Sequence, residues 1–161
     1  MKIACLICAR GNSKGLKNKN ILKINKIPLV AHTIKFSKRI KQVQDTFIST
    51  DSNKIAKISK NYGALVPFIR PKKLSTDSSP EWLSWKHFLL KMKEKKTLPE
   101  ILLVLPVTAP LRRKIDVEKC INTLIKNNYD GVIAVTKSKK NPYFNMVTKD
   151  NKNQITYLPF K

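Results

Sequence analysis

The sequence predicts an α/β domain built on a Rossmann-like, doubly wound, mostly parallel sheet. Three observations carry that reading. Strand-like apolar runs recur at residues 3–8, 46–50, 101–105 and 131–136. Segments with helical spacing of apolar residues separate them, as in repeated strand–helix units. The first run opens into a loop of small residues and fixed cations, at the place where an open parallel sheet usually binds a phosphorylated ligand.

Ile3-Ala4-Cys5-Leu6-Ile7-Cys8 forms the first strand, and residues 9–20 form the loop behind it. Gly11 and Gly15 let the backbone come close to a ligand, with amide groups free to donate. Arg10, Lys14 and Lys19 space positive charge along the loop. By itself the loop fits a solvated basic turn equally well, because short glycine–lysine motifs are common. Pro28 suits a helix start, and Leu29, Ile34 and Phe36 recur on one side of that helix. Residues 46–50 make the second strand. Asp51-Ser52 then caps a helix through Ile55, Ala56, Ile58 and Tyr62, which Gly63 ends. Residues 65–68 are a short extended piece, and 70–79 a loop. A helix from Pro80 carries Trp82, Leu83, Trp85, Phe88, Leu89 and Met92. Residues 101–105 are wholly apolar apart from their flanks, which predicts a central strand. Val117, Cys120, Ile121 and Leu124 mark a helix over 116–127, and 131–136 is the fourth strand. From Lys137 the chain is polar, with weak strand signals at 143–147 and 155–158.

With 161 residues, 42% of them hydrophobic, the chain suffices for one domain with a core. No apolar run nears the roughly 20 residues of a membrane span. The start, Met1-Lys2-Ile3, enters the first strand directly, without the pattern of a secretory signal. A soluble, cytoplasmic protein is the expectation. Cys5-x-x-Cys8 has metal or redox spacing, but residues three apart in a strand face opposite ways. No second Cys or His pair accompanies it, and Cys120 makes the number odd, so buried, reduced thiols are expected. The net charge of +23 comes from 33 basic against 10 acidic residues. Only five of the basic residues are arginine, and the lysines are scattered along the chain. A codon bias toward adenine and thymine produces the same composition. Without an RNA-recognition motif or an aromatic stacking patch, nucleic acid is disfavoured as a partner, and the charge favours anionic ligands generally.

His32 and His87 read as packing or helix-face residues rather than catalytic bases. Trp82 and Trp85 read as core. There is no Ser-His-Asp arrangement, no His-Glu-x-x-His pattern and no Lys-Ser/Thr phosphate loop. Glycines four apart fit neither the Rossmann fingerprint nor the Walker loop, so the loop belongs to another nucleotide-handling design.

Several motifs occur in order: Ala9-Arg10-Gly11-Asn12-Ser13-Lys14-Gly15, Lys19-Asn20-Ile21, Ser49-Thr50-Asp51, Tyr62-Gly63-Ala64, Arg70-Pro71 with Leu74-Ser75 and Asp77, and Thr108-Ala109-Pro110-Leu111-Arg112. The set resembles the acylneuraminate cytidylyltransferases, which activate sialic acid and related nonulosonic acids with CTP. The resemblance implies a nucleotide-diphospho-sugar transferase type of fold. Residues 1–136 would be its nucleotide-binding α/β domain, and 137–161 the start of a dimerisation and sugar-side segment. It implies CMP transfer from CTP to a sialic-acid-like sugar acid, with release of pyrophosphate, in cell-surface polysaccharide biosynthesis. Magnesium (Mg2+) is the implied cofactor, CTP and the sugar acid the implied partners, and a homodimer the implied full-length form, with no membrane involved.

By the same resemblance Arg10, Gly11, Ser13, Lys14 and Lys19 hold the CTP phosphates, and Asn20 lies nearby on the nucleotide. Arg70 also contacts the nucleotide, and Ser49 and Asp51 lie near the base and ribose. Arg10 and Lys19 are the implied catalytic residues. When the sugar's anomeric hydroxyl attacks the α-phosphorus, charge grows on phosphate oxygens, and fixed cations oppose it. Arginine offers a planar fork there and lysine a point charge. No general base and no metal ligand is assigned by the sequence.

Two departures stand out. The family carries Leu-Gln-Pro-Thr before Ser-Pro-Leu-Arg, whereas this chain has Leu105-Pro106-Val107-Thr108. The family's glutamine faces the active site, and Pro106 offers no side-chain hydrogen bond. That predicts a related sugar acid rather than N-acetylneuraminate. Family members also continue further, with a pair of magnesium-binding aspartates; Asp45, Asp51, Asp77, Asp116, Asp130 and Asp150 do not simply take that role. Three other readings stand beside the first: a related sugar nucleotidyltransferase, a nucleotide-binding but inactive fragment, and a basic nucleic-acid-binding protein.

Overall fold

The computed structural model describes residues 1–13, 15–137, 146–151 and 154–157. In chain order the elements are β1 (Ile3–Cys8), a hairpin of β2 (Lys23–Ile24) and β3 (Ile27–Pro28), and α1 (Leu29–Ser37). Then come β4 (Asp45–Ser49), α2 (Asn53–Asn61), α3 (Glu81–Glu94), β5 (Ile101–Val104) and α4 (Lys114–Asn127). A second hairpin pairs β6 (Val147–Lys149) with β7 (Ile155–Tyr157). The main sheet has the order β4-β1-β5, all parallel.

Alternation along β1 sets the two faces of this sheet. Ile3, Cys5 and Ile7 pack with Val30 and Ile34 of α1, Ile55 of α2 and Ile121 of α4. Ala4 and Leu6 point the other way, to Phe88 and Met92 of α3. Helices therefore cover both faces, as the doubly wound pattern requires. Cys5 and Cys8 fall on opposite faces and are free thiols. Burial pushes each of them up to about 12.

Local signals end the helices where the sequence places them. Ser52 caps α2, its Oγ accepting from the Ile55 amide at 3.4 Å. Gly63 follows with φ 78, a left-handed turn that favours glycine. Pro28 and Pro80 precede α1 and α3 with extended backbone. No helix among the described residues is long and apolar enough to cross a membrane.

Three expectations are corrected. β5 lies at the edge of the sheet and β1 holds the centre. A wholly apolar run reports that both faces are covered, not how many strands flank it. Residues 131–136 form no strand, and Ile133 and Val135 are 82% and 84% exposed. Strand propensity becomes a strand only where a ladder is completed, and this segment pairs with no strand among the described residues, although β5 is an edge. Trp82 is 51% exposed, so only Trp85 packs against the apolar layer under α3. The weak strand signal at 155–158 is met by Ile155–Tyr157, whereas that at 143–147 meets β6 only at Val147, with Met146 outside the strand; residues 143–145 and 158 lie outside the described residues.

Candidate active site

The loops leaving the C-terminal ends of the parallel strands close around a cavity of about 260 Å³. The β1 side supplies Cys8, Arg10, Ser13, Lys19 and Asn20. The 70–79 loop adds Arg70, Ser75, Thr76 and Asp77, and the first turn of α3 adds Glu81 and Ser84. Pro106, Val107 and Thr108, beyond β5, form the remaining wall. This is the crevice in which open α/β sheets bind their ligands.

Arg10, Ser13, Lys19, Asn20 and Arg70 thus come together as the sequence predicts. Lys14 lies outside the described residues. Gly11, Ser49 and Asp51 do not line the cavity; they support it from behind. The Gly11 amide donates to Asp51 Oδ1 at 2.8 Å, so it is not the free donor expected from the loop. A Cβ at Gly11 would stand 2.9 Å from Ser52 Cβ. Glycine is required there for the loop to approach the turn after β4. Gly15 stands in open space with nothing near its Cβ position. Ser49 is fully buried at the end of β4, and its Oγ has no hydrogen-bond partner among the described residues.

Arg10 bridges two loops. Its Nη2 lies 2.5 Å from Asp77 Oδ1, and its Nη1 donates to the Thr76 carbonyl at 3.1 Å. Buried Asn20 fixes the backbone beneath, donating from Nδ2 to the Arg10 carbonyl at 2.8 Å. Arg70 is only 4% exposed. It donates from Nε to Ser75 Oγ at 2.9 Å and from Nη1 to Ser84 Oγ at 2.8 Å. No carboxylate forms an ion pair with it among the described residues. A buried guanidinium held only by neutral hydroxyls is costly unless an anion answers it. The Cys8 thiol beside it stays neutral, since burial outweighs the pull of Arg70.

Residues 4–157 match the cytidylyltransferase family. The chain belongs to that family. It is 40% identical over 147 residues to post-translational flagellin modification protein B of Campylobacter coli, covering 91% of this chain and 63% of that protein. It is 39% identical over 155 residues to the CMP-N,N'-diacetyllegionaminic acid synthase of Campylobacter jejuni, covering 96% and 66%. The chain therefore spans about two-thirds of the length of these curated relatives. Its fold is shared with the CTP complex of CMP:2-keto-3-deoxy-manno-octonic acid synthetase. That match has a TM-score of 0.68 at 20% identity and covers 80% of this chain and 49% of that one.

The cavity residue that sequence reasoning missed is Ser84. It shares the inward side of α3 with Phe88 and Met92, the helix's other buried residues. A small hydroxyl on that apolar stripe was the available signal. Asp77 was visible as part of a motif, but its pairing with Arg10 was not. Asp77 and Glu81 are the carboxylates of the cavity. Among the described residues no three His, Cys, Asp or Glu groups converge as a metal cage. Magnesium is usually held by one or two carboxylates together with substrate phosphates and water rather than by a protein cage, so Asp77 and Glu81 are the described groups that could contribute to it.

Proposed function

We propose that this chain carries the nucleotide site of an enzyme that transfers CMP from CTP to a nonulosonic, sialic-acid-like sugar acid and releases pyrophosphate. The observation that carries the reading is Arg70, a buried cation that forms no ion pair among the described residues, in one cavity with Arg10, Lys19, Ser13 and Asn20. The name of the Campylobacter jejuni relative supports the sugar-acid class.

Arg10 and Lys19 take the triphosphate, with Lys14 on the same loop, while Ser13 and Asn20 offer neutral hydrogen bonds. The sugar's anomeric oxygen bonds to the α-phosphorus as the bond to the β-phosphate oxygen breaks. Pyrophosphate carries away that electron pair, and the hydroxyl proton is lost. Preset cations oppose the charge growing on the phosphate oxygens without reorganising. Asp77, on Arg10, exchanges its place for the incoming phosphates. Ser49 and Asp51 act through the loop: Asp51 holds the Gly11 amide and with it the start of the clamp. Pro106 walls the cavity where the related family has glutamine, which supports a sugar acid other than N-acetylneuraminate. Magnesium, the expected cofactor, would be carried chiefly by the triphosphate oxygens and water and would add positive charge there. Residues 1–136 form the nucleotide side, and the chain from 137 begins the sugar side and the contact of a homodimer. Free thiols suit the reducing cytoplasm as the place of reaction.

Thermal melting with CTP, ATP and GTP in magnesium buffer tests the site, with CTP expected to give the largest rise. Equal, negligible shifts for all three would remove the reading. Pyrophosphate release over a panel of nonulosonic acids tests the reaction; CTP binding without release would leave a nucleotide-binding chain only.

A further inference from the structure

The chain uses arginine sparingly, five residues against 28 lysines. Lysine supplies charge almost anywhere, whereas arginine supplies a planar fork with fixed donors. The five are not scattered. Arg10 and Arg70 line the cavity described above. Arg39, Arg112 and Arg113 all line a second cavity of about 400 Å³, between α1 and the start of α4.

Some cations of this second cavity are already answered. Arg113 forks onto Asp116 with two contacts of 2.9 Å, and Lys114 lies 3.3 Å from Glu118. The His32 ring meets the Ile24 carbonyl at 3.0 Å, and Lys35 reaches over the Tyr62 ring. Arg112 differs. It is half-buried, and burial lowers its pKa from the ordinary arginine value. Its Nη2 donates to the Pro106 carbonyl and its guanidinium stands over the Phe36 ring at 5.4 Å. Its Nη1 is buried with no hydrogen-bond partner among the described residues. Neither Arg112, Arg39 nor Lys35 forms an ion pair among the described residues. A desolvated guanidinium with one nitrogen unanswered, beside two further cations, is an arrangement that an oxyanion completes.

We propose that this second cavity is an anion site for a phosphate-type oxyanion, held by Arg112 Nη1 and by Arg39, with Lys35 at its rim. The carbonyl that Arg112 grips belongs to Pro106, a wall residue of the first cavity. An ion on Nη1 leaves the Nη2 contact in place and fixes the guanidinium behind that wall. Because the site shares no arginine with the first cavity, it stands or falls apart from the nucleotide reading.

Titration of the folded chain with inorganic phosphate at constant ionic strength, followed by backbone and arginine side-chain NMR, tests it. Saturable shifts are expected at Arg112, Arg113 and Phe36. Arg39→Gln, a change at an exposed position, weakens that saturation roughly tenfold, whereas Arg10→Ala leaves it unchanged. Shifts that grow without saturating, as on the lysines of α2, would show an adventitious ion only and overturn the proposal. So would shifts confined to Arg10 and Lys19, or an Arg39→Gln variant that binds phosphate as well as the parent.

Discussion

Arg70 is the residue on which the proposed nucleotide site depends most. Its two hydroxyl partners fix the guanidinium without neutralising it, so the charge remains for a ligand. Ser84→Ala removes one of those partners. The loss should weaken CTP binding by about 1.5–3 kcal/mol, the range for a hydrogen bond to a charged group, as isothermal titration would show. Arg10→Ala should lose CTP binding and also free the 70–79 loop from the β1 loop, since Asp77 and Thr76 hold that loop through Arg10. Unchanged CTP affinity in this variant would place the triphosphate elsewhere. His87 offers a pH test. Burial first, then Lys91 and Arg70, lowers its pKa from 6.5. The folded state therefore holds the neutral ring more strongly than the unfolded state does. Its share of stability is complete above the ordinary pKa and is lost as pH falls through about 6.5 toward the lower folded value. Melting temperatures from about pH 7.5 to 5 should fall less steeply for His87→Gln than for the parent.

At the scale of elements, α3 serves two purposes with one stripe. Phe88 and Met92 close the apolar layer against Ala4 and Leu6, and Ser84, one turn earlier, reaches the cavity and positions Arg70. Phe88 is fully buried and packs against Phe47 with ring centroids 5.1 Å apart. Phe88→Ala should destabilise the fold by about 3–5 kcal/mol, read from the urea midpoint. It should also loosen CTP binding in the folded fraction, because α3 carries Ser84. A variant that loses stability but keeps full CTP affinity would show that the helix does not set the position of Arg70. The Gly11 turn works likewise at the other wall: Gly11→Ala meets Ser52 Cβ, and the loop must move to admit it.

For the whole molecule, a net charge of +23 sets the background against which both cavities act. Like charges spread over one domain repel, and added salt screens them over distances of about 8–10 Å. The melting temperature of the free chain should therefore rise between about 0.02 and 0.2 M sodium chloride, while the extra rise given by CTP shrinks. A CTP effect indifferent to salt would argue against cations as the main hold on the triphosphate.

The sequence by itself determined the local events. The apolar alternation of residues 3–8 marks the central strand, Ser52 and Gly63 bracket α2, and the cation-bearing loop after β1 marks the ligand side. Those signals lie between neighbours in the chain, where period and capping chemistry are written directly. Arg10, Ser13, Lys19, Asn20 and Arg70, which line one cavity, could be picked out from the sequence because their motifs are local. The tertiary structure alone decided what distant segments do to one another. It placed β5 at the edge, left 131–136 without a ladder, turned Trp82 to solvent, and spent the Gly11 amide on Asp51, forty residues away. It also set Asp77 on Arg10 and Ser84 under Arg70. Pairing partners, edges and counter-charges depend on which surfaces meet after folding, and no single segment records them.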